Sequence, residues 1–215
     1  MKITLLCTDS RHPVNPYLER WIAEADPSLE VELVRSKKDI SDGTFLFLIS
    51  CSEIVTAQDR AKYAHTLVLH ASDLPQGRGW SPHIWELSRG ASSITLSLLE
   101  AEDRVDSGRI WAKKVIPVPE HALWDEINDL LFTAEMDLLT YSVTNLASIV
   151  PVEQDPEVEP EYYRRRTPAD SMIDANASIA SQFNLIRVCD PNRFPAYFIY
   201  QGHRYIMKVE HADGE

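Results

Sequence analysis

The residues able to do chemistry concentrate in one stretch, Val68-Leu69-His70-Ala71-Ser72-Asp73-Leu74-Pro75-Gln76-Gly77-Arg78-Gly79-Trp80-Ser81-Pro82. His70 closes the run Thr66 to His70, which reads as a strand. A histidine at the C-terminal end of a parallel strand lies where open α/β sheets place their ligands. Its imidazole can take or give a proton near neutral pH. Gly77 and Gly79 flank Arg78, so backbone can approach a ligand there and the guanidinium is expected to be free for a carboxylate or phosphate. Further along, Asp106-Ser107-Gly108 reads as a turn between two strands. On residue types alone, His70 is either an acid–base group or a satisfied structural histidine.

The elements that must position these residues follow from periodicity. Ile3 to Cys7, Val31 to Val34 and Phe45 to Ile49 read as strands, two of them nearly all apolar, as strands buried on both faces are. Tyr17, Leu18, Trp21 and Ile22 recur at helical spacing within 16–25. Strand, helix, strand is a right-handed βαβ unit. A short helix is expected near 57–63, another over 83–89 ended by Gly90, strands over 93–98 and 109–115, and a long helix over 120–140. Pro151 to Pro160 is rich in proline and acid and should be extended. Beyond it come a helix over 178–188 and strands 196–200 and 205–209, joined by the turn Gln201-Gly202-His203-Arg204. The expected fold is α/β: a Rossmann-like, mostly parallel sheet with helices on both faces, plus a small C-terminal α+β appendage with a hairpin. The corresponding division is a catalytic domain over 1–149, a linker over 150–161 and a C-terminal subdomain over 162–215.

Composition narrows the function. The formal net charge is −12, and the only dense basic run is Arg164-Arg165-Arg166, so a nucleic-acid partner is not expected. No apolar run approaches the roughly 20 residues of a membrane span. The opening MKITLLCTDS reads as a buried first strand rather than a signal peptide. Cys7, Cys51 and Cys189 fit neither a disulfide framework nor a zinc spacing. A reducing cytoplasm is the expected compartment, with no metal.

The loop wording resembles the N10-formyltetrahydrofolate-dependent formyltransferase family. That family shares a His-x-Ser-x-Leu-Pro loop, an Arg-Gly step and an Asp-x-Gly turn after the next helix and strand. Here His70-Ala71-Ser72-Asp73-Leu74-Pro75, Arg78-Gly79 and Asp106-Ser107-Gly108 match. In the tail, Arg165-Arg166-Thr167-Pro168-Ala169-Asp170-Ser171 looks like the start of the C-terminal domain of amine formyltransferases. The chain is most similar to nucleotide-sugar N-formyltransferases of the pseudaminic-acid pathway type, through His-Ala-Ser-Asp-Leu-Pro and Gly-Trp-Ser-Pro. One departure stands out. The family's Asn, two residues before the His, aligns with Val68, which has no donor.

The resemblance implies that an amine attacks the formyl carbon of N10-formyltetrahydrofolate, with His70 and Asp106 catalytic and Ser72, a backbone N–H or His70 itself replacing the missing amide donor. It places the folate against Ser52 and Ile54 and against Ala101, Asp103 and Val105; Ile54 reads equally as core. The acceptor would meet the polar first βα turn, Asp9, Ser10, His12 and Asn15, or that turn is simply capped by Asn15 before Pro16. Arg78, Gly79 and Trp80 are further acceptor candidates, as are Asn184, Arg187, Asn192 and Arg193 in the tail. Arg164 to Arg166 is either a diphosphate contact or a solvated run. The acceptor implied is a UDP- or dTDP-linked 4-amino-4,6-dideoxy sugar used in surface-polysaccharide or nonulosonic acid biosynthesis, handled by a monomer or homodimer. Formylation of aminoacyl-tRNA or a carrier-bound amino acid, and an inactive folate or nucleotide-sugar binding protein, are the alternatives.

Overall fold

A computed structural model describes residues 1–212. In chain order the elements are β1 (Lys2–Leu6), α1 (Asn15–Glu24), β2 (Glu30–Val34), β3 (Gly43–Leu48), α2 (Ala57–Arg60), β4 (Tyr63–His70), β5 (Arg78–Gly79), α3 (Pro82–Ser88), β6 (Ser93–Glu100), β7 (Ile110–Pro117), α4 (Trp124–Thr144), β8 (Tyr162–Tyr163), α5 (Ile179–Arg187), β9 (Ala196–Tyr200) and β10 (His203–Met207). Six strands form one sheet in the order β2-β1-β3-β4-β6-β7. The first four pair in parallel, whereas β6 runs against both β4 and β7. This is the expected Rossmann-like, mostly parallel sheet.

The central strands are apolar because both of their faces are covered. Phe45, Leu46 and Phe47 of β3 are fully buried, as are Ile3, Leu5 and Leu6 of β1. The cover is unequal. α1, α3 and α4 pack on one face, where Ile3, Leu5, Phe45, Phe47, Leu67, Leu96 and Leu98 meet Leu18, Leu87, Ile127, Leu131 and Leu138. The other face holds the smaller cluster of Leu6, Ile40, Leu46, Val55 and Tyr63. In α4, Ile127, Leu131 and Leu138 fall on one helical stripe, and each contributes roughly 1.5–3 kcal/mol by burial. That helix begins at Trp124 rather than at 120, because Pro119 precedes a turn closed by Ala122 N–H donating to the Pro119 carbonyl.

The chain leaves β1 toward β2 on one side and reaches β3 on the other, so the sheet's order reverses between the C-terminal ends of β1 and β3. Such a reversal opens a crevice there. The final hairpin turns on two residues, Gln201 and Gly202, both with positive φ. Such a pair matches the twist of the flanking strands. β10 therefore starts at His203, earlier than its sequence pattern indicates. Among the described residues no helix is long and apolar enough to cross a membrane.

The segment after α4 is extended, as its prolines dictate, and it is bonded along its length. Val152 pairs antiparallel with Ile110, Glu159 accepts from the Gln76 side chain at 3.0 Å, and β8 pairs in parallel with β5. The C-terminal part then docks through α5 against α3.

Candidate active site

β4 carries His70 to the C-terminal edge of the sheet, where it is 8% exposed. Its Nε2 lies 2.8 Å from the Gly77 carbonyl. A carbonyl only accepts, so Nε2 holds the proton and Nδ1 carries the free lone pair of the neutral ring. Nδ1 faces Asp106 Oδ1 at 3.7 Å. A proton arriving on Nδ1 would therefore be stabilised by the carboxylate. Asp106 sits at φ 55°, a left-handed conformation that costs a non-glycine residue roughly 1–2 kcal/mol. The strain turns its side chain inward, where Oδ2 accepts the Gly79 N–H at 2.9 Å. Gly79 has φ 97°, and a Cβ there would collide with the Tyr163 carbonyl, so β5 can reach both Asp106 and β8 only with glycine at this position.

Val68 shares the strand face of His70 and brings no donor. Ser72, the expected substitute, is fully buried and its Oγ has no partner; its carbonyl accepts from Ser97 at 2.7 Å. A residue that the sequence reading missed lies beside this group. His83, in the first turn of α3, has a buried Nδ1 with no hydrogen-bond partner. Burial, then the nearby charges of His70, His12 and Arg166, depress its pKa to about 3. It is therefore a neutral imidazole with unspent hydrogen-bonding capacity. No local sequence signal marks it, since a histidine after Ser-Pro is an ordinary helix-start residue.

The residues expected to meet the folate lie on two more exposed loops. Ile54 is 81% exposed and Val105 63% exposed, so Ile54 is not core. The Ile54 carbonyl accepts from Lys37 Nζ at 2.8 Å. Ser52 is held to Thr8, backbone to hydroxyl at 3.0 Å. Ala101 donates its N–H to the Thr66 carbonyl at 2.8 Å, while the Thr66 hydroxyl is buried without a partner. Arg60, also missed, joins the two loops: it donates to the Val55 carbonyl at 3.0 Å and to Asp103 at 2.6 Å.

The first βα turn stands at the sheet's reversal point. Asp9 is paired with Arg193 of the tail at 2.8 Å, so two residues expected to bind the acceptor separately are brought to one rim. His12 accepts the Val14 N–H on Nδ1 at 3.2 Å and faces Ser50 Oγ with Nε2 at 3.2 Å. Burial, then the Arg193 charge, lowers its pKa to about 4. Ser10 is exposed beside them. Asn192 uses its N–H on Asp190 at 2.8 Å and leaves its side chain exposed. Trp80 is 45% exposed, with the Arg165 guanidinium over its ring at 4.9 Å.

Several expected ligand contacts are spent within the protein. Asn15 is buried, and its amide donates to the Asp9 and His12 carbonyls at 3.0 and 2.8 Å while accepting from Arg35. It is not the N-cap either; Val14 is. Arg78 is 5% exposed and donates to Gln154 at 2.6 Å and to the Tyr162 hydroxyl at 3.2 Å, so its guanidinium is not free for a carboxylate. Arg187 is 2% exposed and donates to Asn184 at 3.1 Å and to the Pro119 carbonyl at 2.9 Å. Asn184 lies beside Gly90, at the far end of α3 from Trp80. This pair docks the tail onto the body. Arg164 is bidentate to Asp170, which holds that carboxyl far below the usual range. Among the described residues no group of three or more His, Cys, Asp or Glu is arranged to hold a metal.

A crevice at a sheet reversal, a histidine on the β4 edge and an inward aspartate across from it invite comparison with solved structures. A methionyl-tRNA formyltransferase from Clostridium thermocellum overlays with a TM-score of 0.82 at 20% identity, covering all of this chain and 95% of that one. The chain has the formyltransferase fold. A 4-N formyltransferase from Francisella tularensis shares that fold at a TM-score of 0.73 and 14% identity, over 99% of this chain and 98% of that one. HypX from Aquifex aeolicus, in complex with tetrahydrofolic acid, matches 95% of this chain at 18% identity and a TM-score of 0.72; this chain spans 36% of it. No family model matches the sequence.

Proposed function

We propose that this chain transfers a formyl group from N10-formyltetrahydrofolate to the amine of a nucleotide-linked 4-amino sugar. The observation that carries the reading is the His70–Asp106 pair: Nδ1 unpaired, a carboxylate 3.7 Å away, and both side chains more than nine-tenths buried. The amine nitrogen attacks the formyl carbon and the carbonyl oxygen takes up the electron pair. His70 Nδ1 accepts the proton that the attacking nitrogen sheds, and Asp106 stabilises the imidazolium. As the carbon–nitrogen bond to the folate breaks, the same proton passes to N10. The formyl oxygen needs a donor that Val68 does not supply. His83 is assigned that part, as a neutral imidazole near His70 with nothing else to bond; a donor of this kind is worth about 3–4 kcal/mol at the transition state.

The donor is placed between Ile54 and Val105, whose exposed apolar side chains suit the flat faces of a pterin. The acceptor side is the rim of Asp9, His12, Trp80 and Arg193. An aminoacyl-tRNA acceptor is the second reading, favoured by Arg89, Arg164 and Arg166 gathered around Trp85 and opposed by the net charge of −12. Incubation with N10-formyltetrahydrofolate and a panel of amines, following tetrahydrofolate release, separates them. Turnover with UDP- or dTDP-linked 4-amino sugars supports the proposal. Turnover with aminoacyl-tRNA alone replaces the acceptor, and folate binding without any turnover defeats the reaction.

A further inference from the structure

The segment between α4 and β8 contains a side chain that touches both loops of the site and that the reaction scheme has not used. Gln154 is half-buried between exposed neighbours, Glu153 and Asp155. Its Nε2 donates to the Asp106 carbonyl and to the Gly108 carbonyl, each at 2.9 Å. Its Oε1 accepts from Arg78 Nη2 at 2.6 Å. The Val152–Ile110 bridge, with bonds of 2.8 and 2.9 Å, fixes the register that brings Gln154 here.

These bonds close a ring. Arg78 ties Gln154 to β5, the adjacent Gly79 N–H holds the Asp106 carboxylate, and Gln154 holds the Asp106 backbone from the other side. The left-handed turn at Asp106 needs such support, because strained backbone persists only where its surroundings over-determine it. Gly108 admits no side chain, since a Cβ would collide with the Glu100 carbonyl, so the turn lies flush against β6 and its two carbonyls point at Gln154. Only an amide can donate twice and accept once here. A glutamate would keep the Arg78 contact and lose both donations, a lysine would lose the acceptor, and a methionine would lose everything.

We propose that Gln154 is a positioning residue: it clamps the Asp106 turn to the Arg78–Gly79 strand so that the Asp106 carboxylate faces His70 Nδ1. The inference rests on the formyl-transfer reading for its catalytic consequence, while the clamp can be read without turnover. The test uses the full chain with Gln154→Glu and Gln154→Met. The glutamate variant retains an ion pair to Arg78, which guards against simple unfolding. A misplacement of this kind is expected to lower kcat about 10- to 100-fold, with KM for donor and acceptor held within about twofold. Independently, exchange of the Gly79 amide proton should accelerate about tenfold or more while amides of β1 and β3 stay protected. The His70 ring resonances should move as they do in Asp106→Asn. Wild-type kcat together with wild-type Gly79 protection in Gln154→Glu would overturn the proposal. So would Gly79 exchange that rises only in step with the β1 and β3 amides, which marks a merely structural residue. Should the wild-type protein transfer no formyl group, the amide exchange and the ring resonances still decide the clamp.

Discussion

Two pairs of loops flank β4, and they are built differently. The pair around Gly79 and Asp106 is sealed by backbone pairing to β8, by the Gly79–Asp106 bond and by Gln154, with His70 and Arg78 buried beneath. The pair around Ile54 and Val105 is joined by Arg60, whose partner Asp103 has a side chain 82% exposed, and its apolar residues stand in solvent. The first arrangement fixes the positions of His70 Nδ1 and the Asp106 carboxylate relative to each other. The second leaves Ile54 and Val105 exposed on either side of one ion pair. On the proposed function, rigidity is concentrated where a displaced atom would cost most in rate, and exposure where a large donor would come and go.

The comparison can be broken most directly in the sealed pair. His70→Ala and Asp106→Asn should each reduce kcat by about 10³-fold or more with the fold intact by circular dichroism; near wild-type rates in either would remove the chemistry from this pair. His83→Ala should lower kcat by about 10²-fold, and steady-state kinetics showing only a raised acceptor KM would instead make it a binding group. Val68→Asn should not restore a lost donor, and a large gain in rate would contradict the assignment of His83. In the open pair the expected effect is smaller. Arg60→Ala should raise KM for the formyl donor by about two- to fivefold with kcat nearly unchanged, because an ion pair with one exposed partner contributes on the order of 1 kcal/mol or less; an equal fall in kcat would show that this pair is not independent of the sealed loops.

The smallest effect concerns pH at the rim. His12 titrates near 4 in the fold and near 6.5 when unfolded, so the unfolded chain binds the extra proton between those values. Stability contributed by the neutral ring is thus present above pH 6.5 and is lost as pH falls toward 4. His12→Gln should flatten the denaturation midpoint over that window, a difference of about 2 kcal/mol by pH 5. An unchanged slope would mean that the ring is not held neutral.

Much of this was legible in the sequence. Apolar runs located the strands of the sheet to within a few residues, because strands covered on both faces have little freedom of composition. The loop wording brought His70 and Asp106 forward, and the fold sets them 3.7 Å apart. What the sequence does not show is which polar side chains are consumed by distant backbone. Asn15, Arg78 and Arg187 look available by type, yet each is buried and bonded to groups that only folding brings near. The converse holds for Gln154 and Arg60, which stand among charged neighbours with no local signal, and for His83, whose importance lies in a partner it lacks. Ile54 reads equally as folate contact and as core in the sequence, and its exposure removes the core alternative, since a loop residue's burial is set by what lies opposite.

The clamp has a consequence for the order in which the molecule is made. His70 and Asp106 are synthesised well before Gln154 and β8, and synthesis proceeds from the N-terminus. Until the residues beyond 150 are added, the sheet can already be in place with its histidine at the edge, but the aspartate opposite has nothing behind it. On the proposed clamp, a chain ended before Gln154 would hold His70 and Asp106 without their arrangement, and competence would arrive only with the strap that crosses them.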